Sequence, residues 1–572
     1  LSIPTTTTSL SPNSAFQARV GTANATGTGI ESEYAIRTGG TPVTVTVSNS
    51  NATVGQLVTS AGAAQTAVLT IPVGATRTPF GVPAGGVEFD PLSSGSTTIS
   101  VTAPGAVSGP TAAVTTTVSA PSMSAGGGTF GAGLQLSTGG SLGASNYGAT
   151  TVRVESSDPA LVRVAPNATT VGTAFVDVAM TAPSTSFAYV LQAMEGVTGT
   201  ATITVSAPGF TPATALVTVR PLAVDIISLP ATTTAFSSNS AFQVRVGTLD
   251  AGGTAIESEY PIRFGGSPVT LTVSNATASV AQLVTSAGAA QSATLTVPVG
   301  SSRAPFGLAA GGVEFDPLAA GTTTVSVSGA GVVSTTGATR SVTVTTPAIS
   351  VGNATIGAGA QIGFSASLGA NDFGTATVHL QSLDPALVVV APNAATVGTT
   401  AIDVGMTAPS TTIGFVAAAL EGVTGVGRIV VSAPGFTPDT MFVTVRALAL
   451  DLISLPTTAA AGSALRDFTV RVGTLNDLGT AIESEYALRA GGVPVTVTVT
   501  TSSAAVGALV TSAGSGASAT VTIGVGQTRS PSGVGAGGVA FAPLGAGSTT
   551  ITATSPQATT TPGTPRVVTV TP

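Results

Sequence analysis

The chain has 572 residues, which is too many for one hydrophobic core and predicts several domains. Hydrophobic residues make up 43% of the sequence and charged residues only 7%, with a formal net charge of −7. This sparse charge leaves no basic surface of the kind that nucleic-acid binding requires. The chain contains no cysteine, which excludes disulfides and thiolate metal sites.

The hydropathy of the chain raises the question of membrane insertion, because its mean hydropathy is +0.51. The apolar runs are nevertheless short, and none approaches the roughly 18 residues that a spanning helix needs. We therefore expect no membrane insertion. The sequence opens at Leu1 without an initiator methionine or a signal peptide, as a processed secreted protein or an excerpt of a longer chain would. We expect a secreted, extracellular or cell-surface location.

The first predicted unit, called A, covers residues 1–119. Alternating residues predict strands at Phe16–Val20, in PVTVTVS and in AVLTIPV. A polar excursion, GTGIESEYAIRTGG (Gly27–Gly40), carries most of the charge of the unit. A hairpin closes the unit, formed by a run that starts at Gly95 and a second run over Ala112–Ser119.

The second predicted unit, called B, covers residues 120–224 and follows with almost no linker. A glycine-rich opening (Gly126–Gly133) leads into ATTVRVESSDPALVRVAP, which predicts a strand, an Asp-Pro turn and a strand. AFVDVAM and FAYVLQAM predict two further strands. The stretch Gly199–Pro221, GTATITVSAPGFTPATALVTVRP, predicts the closing hairpin. No helix is predicted, because Gly, Thr and Pro disfavour one and period-two alternation dominates.

The whole pattern returns after 226 residues, as the positions of Glu31, Glu257 and Glu483 show (257 − 31 and 483 − 257). The starts of the closing hairpins are separated by 104 residues and 122 residues in alternation (199 − 95 and 321 − 199). We therefore predict an all-β tandem array of five immunoglobulin-like β-sandwich domains in A-B-A-B-A order. Their predicted limits are 1–119 (A1), 120–224 (B1), 225–345 (A2), 346–450 (B2) and 451–572 (A3).

The unit B pattern SSDPALVRV…GTATITVSAPGF…VTV resembles bacterial Ig-like repeats, the Big-type domains of secreted surface proteins and adhesins. With a looser match in the A units, the resemblance covers the whole chain. It implies extracellular stalks, adhesin shafts or self-assembling fibres, and it implies no catalytic activity. No functional residue of the family carries over, because the matching positions are strand and turn positions.

One polar motif occurs three times, as IESEYAIR at Ile30–Arg37, IESEYPIR at Ile256–Arg263 and IESEYALR at Ile482–Arg489. One interpretation is a Ca²⁺ site, with weak candidate ligands Glu31, Glu33, Glu257, Glu259, Glu483 and Glu485. A second is a contact loop between domains or subunits, formed by Tyr34, Arg37, Tyr260, Arg263, Tyr486 and Arg489. The simplest is a strand with local Glu–Arg ion pairs and Tyr34 at the sandwich edge. Calcium takes about six to eight oxygen ligands, so we predict no metal site and no cofactor.

A second acidic pair, Glu88 and Asp90, recurs as Glu314 and Asp316 but is replaced by Ala540 and Ala542 in the third copy. A required metal site would not be expected to disappear from one copy. We therefore predict a solvated turn before a strand at these positions. Asp158 and Asp384 each precede a proline and are predicted to be turn residues.

Enzymatic activity is not expected. The single histidine, His379, lies on an alternating run and is predicted to be an exposed strand residue. The sequence shows no nucleophile paired with a base, no phosphate-binding loop and no carboxylate pair tied to one pocket.

The leading functional hypothesis is an extracellular structural protein, a repeat-built subunit of a cell-surface fibre, sheath or surface layer. It would self-associate through sandwich packing or exposed strand edges. One alternative is the shaft of a bacterial adhesin whose ligand-binding head lies outside this chain, with cell-surface components or glycans as partners. A second alternative is a set of accessory Ig-like modules in a larger secreted enzyme.

Overall fold

The computed structural model describes all residues from Leu1 to Pro572, and the protein is all-β. Strands form because Val, Ile and Thr alternate, so that one side chain enters the core and the next faces solvent. The helices are single 3₁₀ turns at Val82–Ala84, Pro110–Ala112, Leu308–Ala310, Thr336–Ala338 and Val534–Ala536. None of them is long and apolar enough to cross a membrane. The predicted tandem array of immunoglobulin-like sandwiches is confirmed.

The three A units follow one strand pattern, except that two strands of A2 and A3 have no counterpart in A1 and one long strand is divided in two there. The strands of A1 are Thr6–Thr8, Ser14–Phe16, Thr22–Ala23, Ile30–Ser32, Val43–Asn49, Gly55–Thr59, Gly62–Ala64, Thr66–Ile71, Val87–Pro91, Gly95–Thr102 and Ala113–Ser119. Those of A2 are Leu222–Ile227, Thr232–Thr234, Ser240–Leu249, Ile256–Ser258, Val269–Asn275, Ala281–Thr285, Gly288–Ala290, Ser292–Val297, Val313–Pro317, Gly321–Ser328, Val333–Ser334 and Thr339–Thr345. Those of A3 are Leu448–Ile453, Thr458–Ala460, Arg466–Leu475, Ile482–Ser484, Val495–Thr501, Gly507–Thr511, Gly514–Gly516, Ser518–Ile523, Val539–Pro543, Gly547–Thr554, Thr559–Thr560 and Arg566–Thr571.

The two B units also match each other strand for strand. The strands of B1 are Met123–Ala125, Gly128–Gly131, Gln135–Leu142, Ala149–Ser156, Val162–Ala165, Phe175–Thr181, Ser186–Ala193, Gly199–Ser206 and Ala213–Arg220. Those of B2 are Ile349–Val351, Ala354–Gly357, Gln361–Leu368, Thr375–Ser382, Val388–Ala391, Ala401–Thr407, Thr412–Ala419, Gly425–Ser432 and Asp439–Arg446.

Each unit packs one sheet against another. In A1, a five-stranded sheet runs in the order Thr6–Thr8, Ala113–Ser119, Gly95–Thr102, Val43–Asn49, Thr66–Ile71. In B1, a five-stranded sheet faces a four-stranded one. An early strand of each unit pairs in parallel with its closing strand, as Thr6–Thr8 does with Thr117–Ser119. This pairing fastens the start of a unit to its end.

The predicted closing hairpins are confirmed in all five units. In B1, Gly199–Ser206 pairs antiparallel with Ala213–Arg220, with Gly199 opposite Val219. The equivalent pairs in the other four units have the same antiparallel register. The hairpin therefore supplies two neighbouring strands of the larger sheet in every unit.

The cores are built from Val, Leu and Ala around a few aromatic side chains. In each A unit two phenylalanines are completely buried, and these are Phe16 and Phe89, Phe242 and Phe315, and Phe468 and Phe541. One continuous apolar cluster of 47 buried residues spans B1 and A2. The boundary between these two sandwiches is therefore itself packed.

Two predicted domain limits fall inside strands. Leu222–Ile227 pairs with Ser240–Leu249 of A2 and not with the last strand of B1, and Leu448–Ile453 pairs in the same way within A3. Units A2 and A3 thus begin at 222 and 448, three residues before the predicted starts at 225 and 451. The link that precedes each of them is one residue, Pro221 or Ala447.

The prediction of a solvated turn at Glu88 and Asp90 is wrong. Both residues lie on the strand Val87–Pro91, where Val87, Phe89 and Pro91 point inward and the two acids alternate with them. The Asp90 carboxylate accepts a hydrogen bond from the side-chain amide of Gln56 at 2.8 Å. In A3 the whole strand is buried, and alanine takes both acidic positions.

Truncation of a core phenylalanine should destabilise one sandwich strongly. Phe315→Ala is expected to cost unit A2 about 3–5 kcal/mol, because the surrounding strands cannot close over the cavity. Phe306→Ala is the matched control, since that ring is 54% exposed. Denaturant unfolding followed by hydrogen exchange in Gly321–Ser328 would report the loss. Equal effects of the two substitutions would contradict this account of the core.

Candidate functional site: the junctions between units

The repeated motif contains an ion-pair cluster within each A unit. The Glu33 carboxylate accepts hydrogen bonds from Arg19 at 2.8 Å and from Arg77 at 2.9 Å. Glu259 is held in the same way by Arg245 and Arg303, and Glu485 by Arg471 and Arg529. The guanidinium groups of Arg77 and Arg19 lower the pKa of the Glu33 carboxyl from 4.5 to about 2. The simplest interpretation, local Glu–Arg pairs, describes this part of the motif.

The structure surrounds these carboxylates with positive groups. Both oxygens of Glu33 are bonded to arginine, which leaves few lone pairs for a cation. No group of three or more His, Asp or Glu side chains lies close enough together to hold a metal ion. Glu31, Glu33 and their counterparts, the weak candidates for calcium ligands, are therefore not part of a clustered ligand set.

The remaining charges of the motif reach across the boundary from a B unit to the next A unit. Arg263 of A2 pairs with Glu195 of B1 at 2.6 Å, and Glu257 of A2 pairs with Arg220 of B1. At the second boundary, Arg489 of A3 pairs with Glu421 of B2 at 2.7 Å, and Glu483 pairs with Arg446. The Arg263 side chain is only 7% exposed. Each B-to-A junction thus has one arginine of the A unit paired with a glutamate of the B unit and one glutamate of the A unit paired with an arginine of the B unit, and at the second junction Arg446 also pairs with Asp477.

Backbone hydrogen bonds reinforce the B-to-A junction. A bridge joins Leu134 of B1 to Ile262 of A2. The Gln135 amide donates to the Pro261 carbonyl at 2.9 Å, and its side-chain oxygen accepts from the Phe264 amide at 3.0 Å. Gln361 makes both bonds again at the second junction, to Ala487 and Ala490. The short strand contact and the ion pairs together fix the relative position of the two sandwiches.

The first copy of the motif has a different environment. Glu31 and Arg37 make no ion pair, and the Tyr34 side chain is 68% exposed. Tyr260 and Tyr486, by contrast, are partly buried against apolar clusters that include the preceding B units. The motif therefore forms a junction in A2 and A3, where a B unit of this chain precedes it.

The A-to-B junctions use a single apolar side chain. Leu10 of A1 packs against the B1 core, and its carbonyl accepts from the Asn146 amide at 2.8 Å. Phe236 occupies the equivalent position in A2 and stacks on Phe436 of B2, with ring centroids 5.7 Å apart. Both residues have a positive φ, 59° at Leu10 and 60° at Phe236. In A3 the equivalent residue is Gly462, which has no side chain to pack on a following unit.

The sequence predicts one side of each B-to-A junction and not the other. Arg263 and Arg489 are candidate contact residues from the repeated motif, whereas their partners Glu195 and Glu421 lie outside any motif. The repeat itself marks these two glutamates as equivalent charged positions, because Glu195 and Glu421 are also one period of 226 residues apart (421 − 195). A single sequence does not show which charges of one unit meet which charges of the next.

The remaining polar candidates are surface residues, as predicted. His379 lies on the strand Thr375–Ser382, and its Nδ1 is 2.7 Å from the Asp403 carboxylate on the neighbouring strand. Its side chain is 44% exposed. Asp158 shapes its turn by accepting a hydrogen bond from the Ala160 amide at 3.0 Å.

Comparison with known proteins finds distant structural similarity only. No protein-family model and no curated protein matches the chain. Among solved structures, the S-layer protein rSbsC(31-844) is 11% identical with a TM-score of 0.23, over 90% of this chain and 62% of that chain. SbsC domains 4–9 are 13% identical with a TM-score of 0.20, over 92% and 72%. Escherichia coli alpha-2-macroglobulin activated by porcine elastase is 12% identical with a TM-score of 0.15, over 100% and 53%.

This chain spans less than two thirds of the rSbsC(31-844) chain. Similarity at these TM-scores carries no functional argument. The resemblance of the B units to Big-type repeats stays a prediction.

Removal of a junction arginine should loosen one boundary selectively. Arg489→Ala is expected to destabilise the B2–A3 pair by about 1 kcal/mol, since the Glu421 carboxylate is left unpaired but one-third exposed. Arg37→Ala is the matched control, because the same motif position in A1 has no partner. Calorimetry of the full chain would compare the two variants. An equal decrease in Tm for both would show that the ion pair contributes nothing.

Acidification should weaken the same boundary. Burial acts to raise the pKa of Glu421, and the hydrogen bonds from Arg489 outweigh it and hold that pKa below its usual 4.5. A carboxyl with a lowered folded-state pKa stabilises the protein above its unfolded pKa, and this stabilisation is lost as the pH falls through the folded value. We expect Tm to fall when the pH is lowered below 4.5, and to fall less in Glu421→Gln. An identical pH dependence in that variant would contradict the assignment.

Proposed function

We propose that this chain is an extracellular structural protein, a repeat-built subunit of a cell-surface fibre, sheath or surface layer. The observation that carries the proposal is the construction of the junctions. Each B unit continues into the next A unit through one residue, and ion pairs and backbone hydrogen bonds fix the boundary. Such an array transmits load along its axis instead of behaving as beads on a flexible linker.

Exposed strand edges support self-association. Thr66–Ile71, Ser292–Val297 and Ser518–Ile523 each stand at the end of a five-stranded sheet. None of the three contains a charge or a proline, the residues with which soluble proteins usually block an edge. Their outward side chains are exposed, and Val68 is 68% exposed. A second molecule could add a strand to such an edge through main-chain hydrogen bonds.

The composition of the surface agrees with lateral packing. Charged residues are 7% of the chain, and most of the arginines are engaged in ion pairs. Neighbouring molecules would therefore meet weak long-range repulsion. The absence of cysteine suits a structure that is held together by hydrogen bonds and apolar burial alone.

An adhesin shaft is the second candidate function, because rigid junctions would serve it equally well. In that case the ligand-binding head lies outside this chain. The two functions differ in one property, since a shaft remains monomeric while a fibre or layer subunit self-associates. Electron microscopy at near-neutral pH without denaturant would separate them. Filaments or sheets with a repeat of one or two domains support the structural subunit, and single dispersed rods contradict it.

Charge placed on the free edges should block assembly without unfolding the chain. We expect the triple variant Val68→Lys, Thr294→Lys and Thr520→Lys to reduce ordered assemblies at least about tenfold, because lysine on an exposed edge strand disfavours pairing with a further strand. The three positions are equivalent, opposite Thr46, Thr272 and Thr498. Light scattering and electron microscopy would measure the effect, and an unchanged Tm would show that the variant is still folded.

The matched control adds the same charge away from any strand. Ala168, Ala394 and Ala395 lie in exposed loops and would carry the three lysines instead. Equal assembly of the edge variant and the control would show that contacts other than the strand edges drive association.

A further inference from the structure

A cavity of about 520 Å³ lies at the junction between B1 and A2. Apolar residues such as Leu222 and Ile262 form part of its lining, and its polar residues include Glu195 of B1 and Thr270 of A2. Sites for small molecules in proteins have volumes of about 300–1,000 Å³ and combine an apolar wall with a few polar groups. The cavity matches that description in size and in lining.

At the B2–A3 junction, one glutamine side chain bonds to two backbone groups. The carboxamide oxygen of Gln557 accepts a hydrogen bond from the Thr496 amide at 3.0 Å, and its nitrogen donates to the Pro494 carbonyl at 3.1 Å. One period earlier, Thr270 and Pro268 stand at the positions of these two partners, and both line the cavity. The cavity therefore contains the counterparts of the backbone groups to which a carboxamide binds in A3.

A2 has no glutamine for these two groups. Gly331 stands at the position of Gln557, one period earlier (557 − 331), and it also lines the cavity. No backbone amide of the chain donates a hydrogen bond to the Pro268 carbonyl. A carbonyl without a partner favours a ligand that donates to it, because an unmade hydrogen bond costs free energy.

The direction of the Thr270 amide follows from the strand pairing. Amide direction alternates along a strand, so Thr270 and Thr272 face the same neighbour, the strand Gly321–Ser328. Thr272 lies opposite Ser328, which is the last residue of that neighbour. Thr270 lies beyond this last pair, and its amide is therefore directed to the cavity that it lines.

The carboxylate of Glu195 has a free oxygen as well. At the B2–A3 junction, Oε1 of Glu421 accepts hydrogen bonds from Arg489 Nε at 3.0 Å and from the Val493 amide at 3.1 Å. Glu195 instead accepts a single hydrogen bond, from Arg263 to Oε2 at 2.6 Å, and Arg263 Nε is buried without a partner. The Glu195 side chain is 41% exposed, so its Oε1 is available to a donor in the cavity.

The two backbone groups select one kind of amide. In a primary carboxamide, such as that of Gln557, one N–H lies on the same side as the C=O, so both can bond to a single strand edge. In a trans secondary amide the N–H and the C=O point in opposite directions, and only one of them can reach that edge. The Glu195 carboxylate in turn favours a cationic donor, because charge-assisted hydrogen bonds are the stronger ones.

We propose that the cavity between B1 and A2 binds a small molecule that has a primary carboxamide and an ammonium group. The carboxamide accepts from the Thr270 amide and donates to the Pro268 carbonyl, as Gln557 does with their counterparts in A3. The ammonium group donates to Oε1 of Glu195. The bound molecule contacts both units, and it stabilises their junction by mass action.

The test uses the full chain and three amines of increasing length, which are glycinamide, γ-aminobutyramide and ε-aminocaproamide. Ligand-observed NMR should show saturable binding of at least one of them with a Kd of about 1 mM, as expected for so few atoms. The N-methylamide of the same compound has the same charge but a trans secondary amide, and it should bind at least about tenfold more weakly. No saturable binding of any amine, or equal binding of the N-methylamide, would overturn the proposal.

A fourth compound separates a free small molecule from a residue of a polypeptide. N-acetylglutamine N-methylamide has the primary carboxamide of a glutamine residue but no ammonium group to donate to Glu195. It should bind more weakly than the best amine. Tighter binding of this compound would contradict the assignment of the cavity to a cationic small molecule.

A turn variant locates the bound carboxamide. Gly331 has a positive φ of 76°, so Gly331→Gln is combined with Ala330→Pro to reproduce the Pro-Gln turn of A3. The new glutamine should bond to the two backbone groups and abolish binding of the amines. Gly105→Gln makes the same Pro-Gln turn in A1, away from the cavity, and is the matched control. Full binding by the turn variant would show that the amide lies elsewhere.

A charge variant locates the ammonium group. Glu195→Gln should weaken binding of the amines about tenfold, whereas Glu421→Gln, the matched control at the B2–A3 junction, should leave it unchanged. An unchanged Tm would show that each variant is folded. Equal binding by the two glutamate variants would overturn the placement on Glu195. Either failure leaves the proposed assembly through sheet edges unaffected, because the cavity and those edges are separate.

Discussion

The single-residue link between a B unit and the following A unit constrains how the two sandwiches are oriented and which of their loops meet. Arg220 ends the last strand of B1 and Leu222 begins the first strand of A2, with only Pro221 between them. Two sandwiches joined so closely cannot turn independently, so their facing loops must meet. The motif at Ile256–Arg263 meets the edge of B1 for this reason, and its charges find partners there.

Several small free-energy contributions together stabilise the junction. An exposed ion pair contributes about 0–1 kcal/mol, and a hydrogen bond contributes about 0.5–1.5 kcal/mol. Neither would hold two domains in one orientation alone. At the B1–A2 junction a shared apolar cluster adds burial to these contributions, and the polar contacts select the orientation among those that apolar packing allows.

The A units show how one sequence motif takes on different roles. Its central glutamate, as in Glu33, always forms an ion-pair cluster inside the unit. Its outer charges depend on a neighbour, and they are paired only in A2 and A3. At the other end of the unit the equivalent positions are Leu10, Phe236 and Gly462, and the first two pack on the following B unit. The five units are therefore repeats in fold, while their junction residues differ.

The sequence by itself determined the fold class, the five closing hairpins and the 226-residue period, because strand alternation and Gly-Pro turns are local signals. It also marked Arg263 and Arg489 as candidate contact residues. Only the tertiary structure decided that Glu195 and Glu421 are their partners, since those pairs are 68 residues apart in the chain. It likewise placed Glu88 within a strand and moved the starts of A2 and A3 to 222 and 448. Strand pairing decides both the position of Glu88 and the limits of A2 and A3. Pairing depends on which strand edges meet in space, and a local sequence pattern does not encode that.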